Sequence, residues 1–169
     1  DAYSEVSLPD ADADGPGRYW NDEVTPERKV AEVYRSDAPL DRTLRSQGFV
    51  ARVAAPASGV IRGQSALVET AEGDATRLLV PQVALHVRLT VDRNWSDSSY
   101  PNSPMGAVAL ARQAFYDATW YREAWQTWEG AQALPLPERN DALAALAAFR
   151  DGGVVVIEAS NELFHLRAD

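Results

Sequence analysis

Val154-Val155-Val156-Ile157-Glu158 is a continuous apolar run that ends on a carboxylate, and its reading decides the fold class. A run without polar alternation is the pattern of a parallel strand covered on both faces. The residues before it supply the helix that a connection between parallel strands needs. Asn140 or Asp141 can cap a helix over 142–150, Gly152-Gly153 ends it, and Leu134-Pro135-Leu136-Pro137 in front reads as a stiff linker. Further upstream, Ser103-Pro104 opens a helix that runs to about Glu129 and stops at Gly130. Its Leu110, Ala114, Tyr121, Trp125 and Trp128 share one face, and Phe115, Tyr116 and Trp120 widen the apolar surface, so packing on more than one side is expected. Beyond the run, Asn161 to Arg167 begins another helix.

The N-terminal part has the same logic. Residues 1–8 read as a short strand, and Pro9 to Pro26 as a polar loop rich in Asp, Gly and Pro, long enough to be an active-site lid or an ordered surface excursion. Thr25-Pro26-Glu27-Arg28 has the pattern of a helix start, with the helix continuing to about Tyr34. A second helix from about Pro39 to Gln47 ends at Gly48, and Phe49-Val50-Ala51-Arg52-Val53-Ala54 forms a strand. That is a strand-helix-strand unit whose strands suit a parallel pair. From Gly59 to about Val91 the pattern becomes antiparallel. Val83, Leu85, Val87, Leu89 and Val91 alternate with Ala84, His86, Arg88 and Thr90, giving one buried and one polar face. This segment, 59–91, reads as a β-hairpin inserted after the second strand, with Gly73-Asp74 as the turn between Ser65-Ala66-Leu67-Val68-Glu69 and a partner near Leu78 to Leu89.

Composition bounds the partners. The 169 residues, 46% hydrophobic and 24% charged, describe one soluble globular domain. The net charge of -9, with Lys29 the only lysine, sets an acidic field that repels phosphate backbones and anionic membrane surfaces. Neither nucleic acid nor membrane is therefore expected as a partner, and no apolar run reaches the roughly 18 residues of a membrane span. The absence of cysteine excludes disulfides and thiolate chemistry, and is compatible with an oxidising or a reducing compartment alike.

Asp1-Ala2-Tyr3-Ser4-Glu5, Arg62-Gly63-Gln64-Ser65-Ala66-Leu67 and Ser99 to Trp125, with Tyr100-Pro101-Asn102-Ser103-Pro104-Met105-Gly106-Ala107 inside it, carry a resemblance. These stretches are similar to the imidazolonepropionase-like branch of the metal-dependent amidohydrolases. There, Asp-Ala-His-x-His ends the first barrel strand and its two histidines hold a divalent metal. The resemblance implies an α/β fold, a partial TIM-type (β/α) barrel with the inserted antiparallel β-hairpin. Eight strand-helix units take roughly 250 residues, so residues 1–169 are expected to be a single-domain fragment of such a barrel.

The resemblance places Tyr3 and Glu5 at the positions of the metal histidines and Glu158 where a later strand carries another. Residues two apart on a strand share a face, so Tyr3 and Glu5 can look into one barrel mouth. Carboxylates suit hard cations, whereas catalytic zinc favours imidazole and a neutral tyrosine is a poor ligand. A residual carboxylate metal site at Tyr3, Glu5 and Glu158 competes with the preferred reading of ordinary polar strand ends. In the family, metal-bound water attacks an amide or cyclic amide carbonyl with a late-strand aspartate as base, and that strand is absent from this sequence. The chain is thus expected to be inactive by itself and without the divalent metal of intact relatives, whose substrates are small or peptide-like. The competing reading is a non-enzymatic binding or structural domain on the same scaffold.

Other motifs are weaker. His86 and His165 are the only histidines, and solvated side chains are preferred over a two-histidine metal site. Gly63-Gln64-Ser65-Ala66 lacks the second glycine of a nucleophile elbow, so Ser65 reads as structural. Asp10-Ala11-Asp12-Ala13-Asp14-Gly15 reproduces the first half of a calcium loop, but Asn21 stands where a bidentate glutamate belongs, although Glu23 could substitute through another loop path. Trp120, Trp125 and Trp128 suit a core, a ligand groove or, in a truncated barrel, a surface for self-association.

Overall fold

The computed structural model describes residues 3–9, 17–72, 78–91, 100–131, 133–158 and 162. In chain order the elements are β1 Tyr3–Val6, α1 Val30–Val33, α2 Ala38–Ser46, β2 Ala51–Pro56, β3 Ile61–Gln64, β4 Ala66–Glu69, β5 Leu78–Val80, β6 Leu85–Arg88, α3 Pro104–Gly130, α4 Asp141–Arg150 and β7 Val155–Glu158. The fold is mixed α/β. Among the described residues it has two mixed sheets, ordered β1-β2-β4-β5 and β3-β6-β7, which do not close into one. The Gly73-Asp74 turn, the calcium-like loop at 10–15, His165 and the helix expected from Asn161 lie outside the described residues.

The parallel pair expected between the first two strands forms, and the run at 154–158 is a parallel strand too, paired with β6. Tyr3 pairs with Val53 and Glu5 with Ala55 across β1 and β2, while Leu85 pairs with Val155 and Arg88 with Glu158 across β6 and β7. The antiparallel segment is also present, but its arms serve different sheets. β4 pairs with β2 and β5, whereas β3 pairs with β6, so the chain changes sheet at Ser65. Gly63, with φ +108°, makes the approach to that crossover: a Cβ there would lie 2.5 Å from the Arg28 carbonyl oxygen. Only glycine fits both conditions.

Four expectations are corrected. The helix predicted from Thr25 is reduced to Val30–Val33, because residues 24–29 run beside β3. Thr25 N–H donates to Ile61 O at 2.8 Å, Gln64 N–H to Arg28 O at 2.8 Å and Gln64 Nε2 to Pro26 O at 2.9 Å, and these bonds compete with a helical turn. The polar face of β6 is buried as well: Ala84 and His86 are as enclosed as Leu85 and Val87, since side chains of β1 and β3 cover it. Among the described residues β7 is at a sheet edge, with Val154, Val156 and Ile157 exposed instead of buried. Finally, Tyr116 and Trp120, expected to widen the packed apolar surface of α3, are 71% and 66% exposed.

Two cores hold the layers. The larger one packs Leu110, Ala114 and Ala118 of α3 and Leu143, Leu146 and Phe149 of α4 on Ile61, Leu85 and Val87. The smaller encloses Val30, Tyr34, Ala54, Ala66 and Val68. Ser103 and Asn140 cap α3 and α4, their side-chain oxygens accepting from Gly106 N–H at 3.2 Å and Leu143 N–H at 2.8 Å. Each cap contributes about 1 kcal/mol. Beside the smaller core, buried Arg52 donates from Nε to Asp41 at 2.9 Å and also to Tyr34 and Ser4, tying α2 to both parallel strands. Removing one member of such a pair strands a buried charge. Asp41→Ala is expected to lower unfolding stability by about 3–5 kcal/mol in urea denaturation, and a loss under about 1 kcal/mol would contradict this role.

Candidate functional site

β1, β3, β6 and β7 deliver six chemically active side chains to one place between the sheets. Tyr3 and Glu5, two apart on β1, project to the same face, as do His86 and Arg88 on β6. Arg62 comes from β3 and Glu158 from the end of β7. The three positions singled out from the sequence, Tyr3, Glu5 and Glu158, are therefore brought together. Tyr3 Oη donates to Glu158 Oε1 at 2.9 Å.

The group at their centre is a guanidinium. Arg62, fully buried, donates from Nη1 to Glu5 Oε1 at 2.9 Å and to Ala57 O at 3.3 Å, and from Nη2 to Tyr3 Oη at 3.2 Å. It is also ion-paired with Glu158. Arg88 completes the square, with Nε 3.2 Å from Glu158 Oε2 and Nη2 bonded to Glu5 Oε1. Two carboxylates thus face two guanidiniums, and the formal charge of the four groups is balanced. For Glu5, burial pushes the pKa up, but the hydrogen bond from Arg62, the charges of Arg88 and Arg62 and the hydrogen bond from Arg88 outweigh it. The net effect is below the usual carboxylate value.

Besides Arg62 Nε, which lacks a partner, unused hydrogen-bonding capacity here belongs to His86. It is 1% exposed, its ring centroid lies 5.9 Å from that of Tyr3, and both Nδ1 and Nε2 lack a hydrogen-bond partner. Glu158 Oε1 is 3.6 Å from Nδ1, beyond hydrogen-bond length, and its charge is already engaged by the arginines. Burial, and then the charge of Arg62, lower the His86 pKa from 6.5 to about 4. The solvated histidine expected from the sequence is instead a neutral, enclosed one.

Arg62 and Arg88 do not stand out in the sequence as site residues. Arg62 stood inside a stretch valued for its similarity alone, and Arg88 was assigned to a solvated strand face. One signal pointed to both: carboxylates placed on inward-facing strand positions require cations, and arginine at i+2 from a histidine on a strand shares its face. Ser65 is structural as expected, being buried with Oγ donating to Ala84 O at 3.3 Å. Asn21 is also structural, its Nδ2 donating to the Tyr100 carbonyl at 2.8 Å and its Oδ1 accepting from Glu23 N–H at 3.0 Å. Among the described residues, no three His, Cys, Asp or Glu side chains are arranged to hold a metal ion, and no helix is long and apolar enough to cross a membrane.

Comparison with known proteins adds the scaffold. No family model and no curated protein matches the chain. Among solved structures, an amidohydrolase from Thermotoga maritima MSB8 is similar, with a TM-score of 0.74 and 14% identity over 90% of this chain. At that identity the likeness is one of fold alone, and this chain spans 41% of the length of that structure.

The pKa shifts of the site have one sign with respect to acid. His86 takes up a proton in the unfolded chain near pH 6.5 but in the folded one only near 4, so stability falls as pH drops through that window. Glu5, lowered from 4.5, extends the loss to more acid pH. In an NMR titration the His86 ring is expected to stay neutral down to about pH 4. A His86 midpoint near 6.5 would contradict the burial and charge that lower it.

Proposed function

We propose that this chain is part of an amidohydrolase-type (β/α) barrel in which a guanidinium has taken the place of the metal ion. In this reading the chain serves as a binding or structural part of the scaffold and is not by itself a metal-dependent hydrolase. The observation that carries it is Arg62, fully buried among Tyr3, Glu5 and Glu158. A divalent cation at the same point would have to displace two arginines from both carboxylates and sit beside their positive charges. Its remaining donors would be a tyrosine and a histidine. These residues do not fit such an ion, and no catalytic step is drawn through one.

The partial-barrel reading draws support from the sheet edges. β7 is parallel to β6 and leaves Val154, Val156 and Ile157 exposed, while β5 leaves Leu78, Leu79 and Val80 exposed. Apolar strand edges of this kind call for a further strand or a covering layer. We place the chain in the imidazolonepropionase-like branch on Arg62–Leu67 and Tyr100–Ala107. Tyr100 Oη donates to Gly106 O at 3.0 Å and Ser103 caps α3, so that stretch shapes a helix entry. Any hydrolysis of a carbon-nitrogen bond in a small or peptide-like substrate would draw on residues beyond those of this cluster. The same exposed edges make self-association the leading alternative to an intramolecular cover, and the acidic charge argues against nucleic acid and membrane partners.

Elemental analysis of the protein, purified and dialysed without chelator, tests this reading. The expected result is well under one transition metal per chain, unchanged in Glu5→Gln. About one metal per chain, lost in Glu5→Gln, would show that Tyr3, Glu5 and Glu158 form a metal site after all.

A further inference from the structure

A concavity that shares no residue with the arginine cluster lies where residues 18–20 meet α3 and the start of α4. It has a volume of about 400 Å³, and its walls include Tyr19, Trp20, Asp117, Trp120, Tyr121 and Glu138. Four of these are aromatic and two are carboxylates. Trp20 and Trp120 are each 66% exposed, an expensive placement for indoles that no partner covers within the described residues. Trp20 is nevertheless held in position, stacked on Tyr100 with ring centroids 6.4 Å apart and planes 17° apart, and in contact with Tyr19 at 5.6 Å. Below them, Tyr19 and Tyr121 are buried. Tyr19 Oη donates to Asp117 Oδ2 at 2.6 Å, and Tyr121 Oη accepts from Asn140 N–H at 3.2 Å.

Asp117 fixes the charge preference. Its two oxygens accept from Tyr19 and from Gln113 Nε2, the latter at 2.7 Å, and both donors are neutral, so the wall keeps a negative charge. Glu138 adds a second. The cation in the lining, Arg18, is bonded to Asp22 at 3.2 Å. Aromatic faces attract cations through their quadrupole, most strongly indole, and the attraction grows where water is excluded. A preformed concavity of aromatic faces with a carboxylate at its wall suits a cation too diffuse to demand tight hydration.

We propose that this concavity binds a quaternary ammonium group, with Trp20 and Trp120 supplying aromatic faces and Asp117 the counter-charge. The group reaches it either as a free small molecule or as a trimethylated lysine side chain. The test is calorimetric titration with choline, with its uncharged isostere 3,3-dimethylbutan-1-ol, and with a short trimethyllysine peptide. Saturable binding of choline or the peptide is expected, at least about tenfold tighter than the neutral isostere, and whichever of the two binds tighter identifies the source. Trp120→Ala and Asp117→Asn should each weaken it by about five- to tenfold, with far-UV circular dichroism unchanged. Equal affinity for the neutral isostere, no saturable binding of either cation, or full binding by folded Trp120→Ala would each overturn the proposal.

Discussion

A buried guanidinium governs this molecule. Arg62 has no access to water, so its charge must be met by protein groups, and the groups that meet it come from both sheets. Glu5 and Tyr3 belong to the sheet that begins with β1, Glu158 to the sheet that ends with β7. The two sheets share no backbone ladder with each other among the described residues, and the cluster therefore acts as a polar clamp between them. Arg88 brings the positive charge level with the negative, bonding to Glu158 Oε2 and to the same Glu5 Oε1 that Arg62 meets. An isolated carboxylate pair at this spot would repel; with both arginines present the pair is an attractive feature of the fold.

The clamp depends on an unusual chain path. β3 and β4 are successive strands joined through Ser65, yet they pair in different sheets, so Arg62 and Ala66 lie on opposite sides of a crossover. Gly63 permits the close pass of Arg28 at that point, and the segment 24–29 seals the outer side of β3 by backbone bonds. Local propensity loses here to tertiary pairing. Thr25-Pro26-Glu27 has every mark of a helix start, but its carbonyls and amides find better-placed partners on a strand that comes thirty-odd residues later.

What could be read from the sequence follows from this. Periodicity and caps located β1, β2, β6, β7, α2, α3 and α4, since each carries its own signal: alternating or continuous apolar runs, Ser103 and Asn140 before helices, Gly48 after one. The convergence of Tyr3, Glu5 and Glu158 was legible through similarity to a known family. Its chemistry was not, because the residue that defines it, Arg62, comes from a strand whose inward face only the crossover at Ser65 determines. His86 was misplaced for the same reason: alternation gives two faces but not what lies against each, and both faces of β6 are covered. The exposure of β7 was equally illegible, for a parallel strand reads the same at an edge as in the middle of a sheet.

Arg62 and the strand-end carboxylates form one energetic unit that holds the two sheets together. A double-mutant cycle on Arg62→Met and Glu5→Gln, read by urea denaturation, measures that unit directly. Glu5 is partly exposed, which moderates the coupling, but about 1 kcal/mol or more is expected between the two positions. Additive effects, with a coupling indistinguishable from zero, would contradict it and leave Arg62 as a buried side chain whose proximity to Glu5 does nothing for the fold.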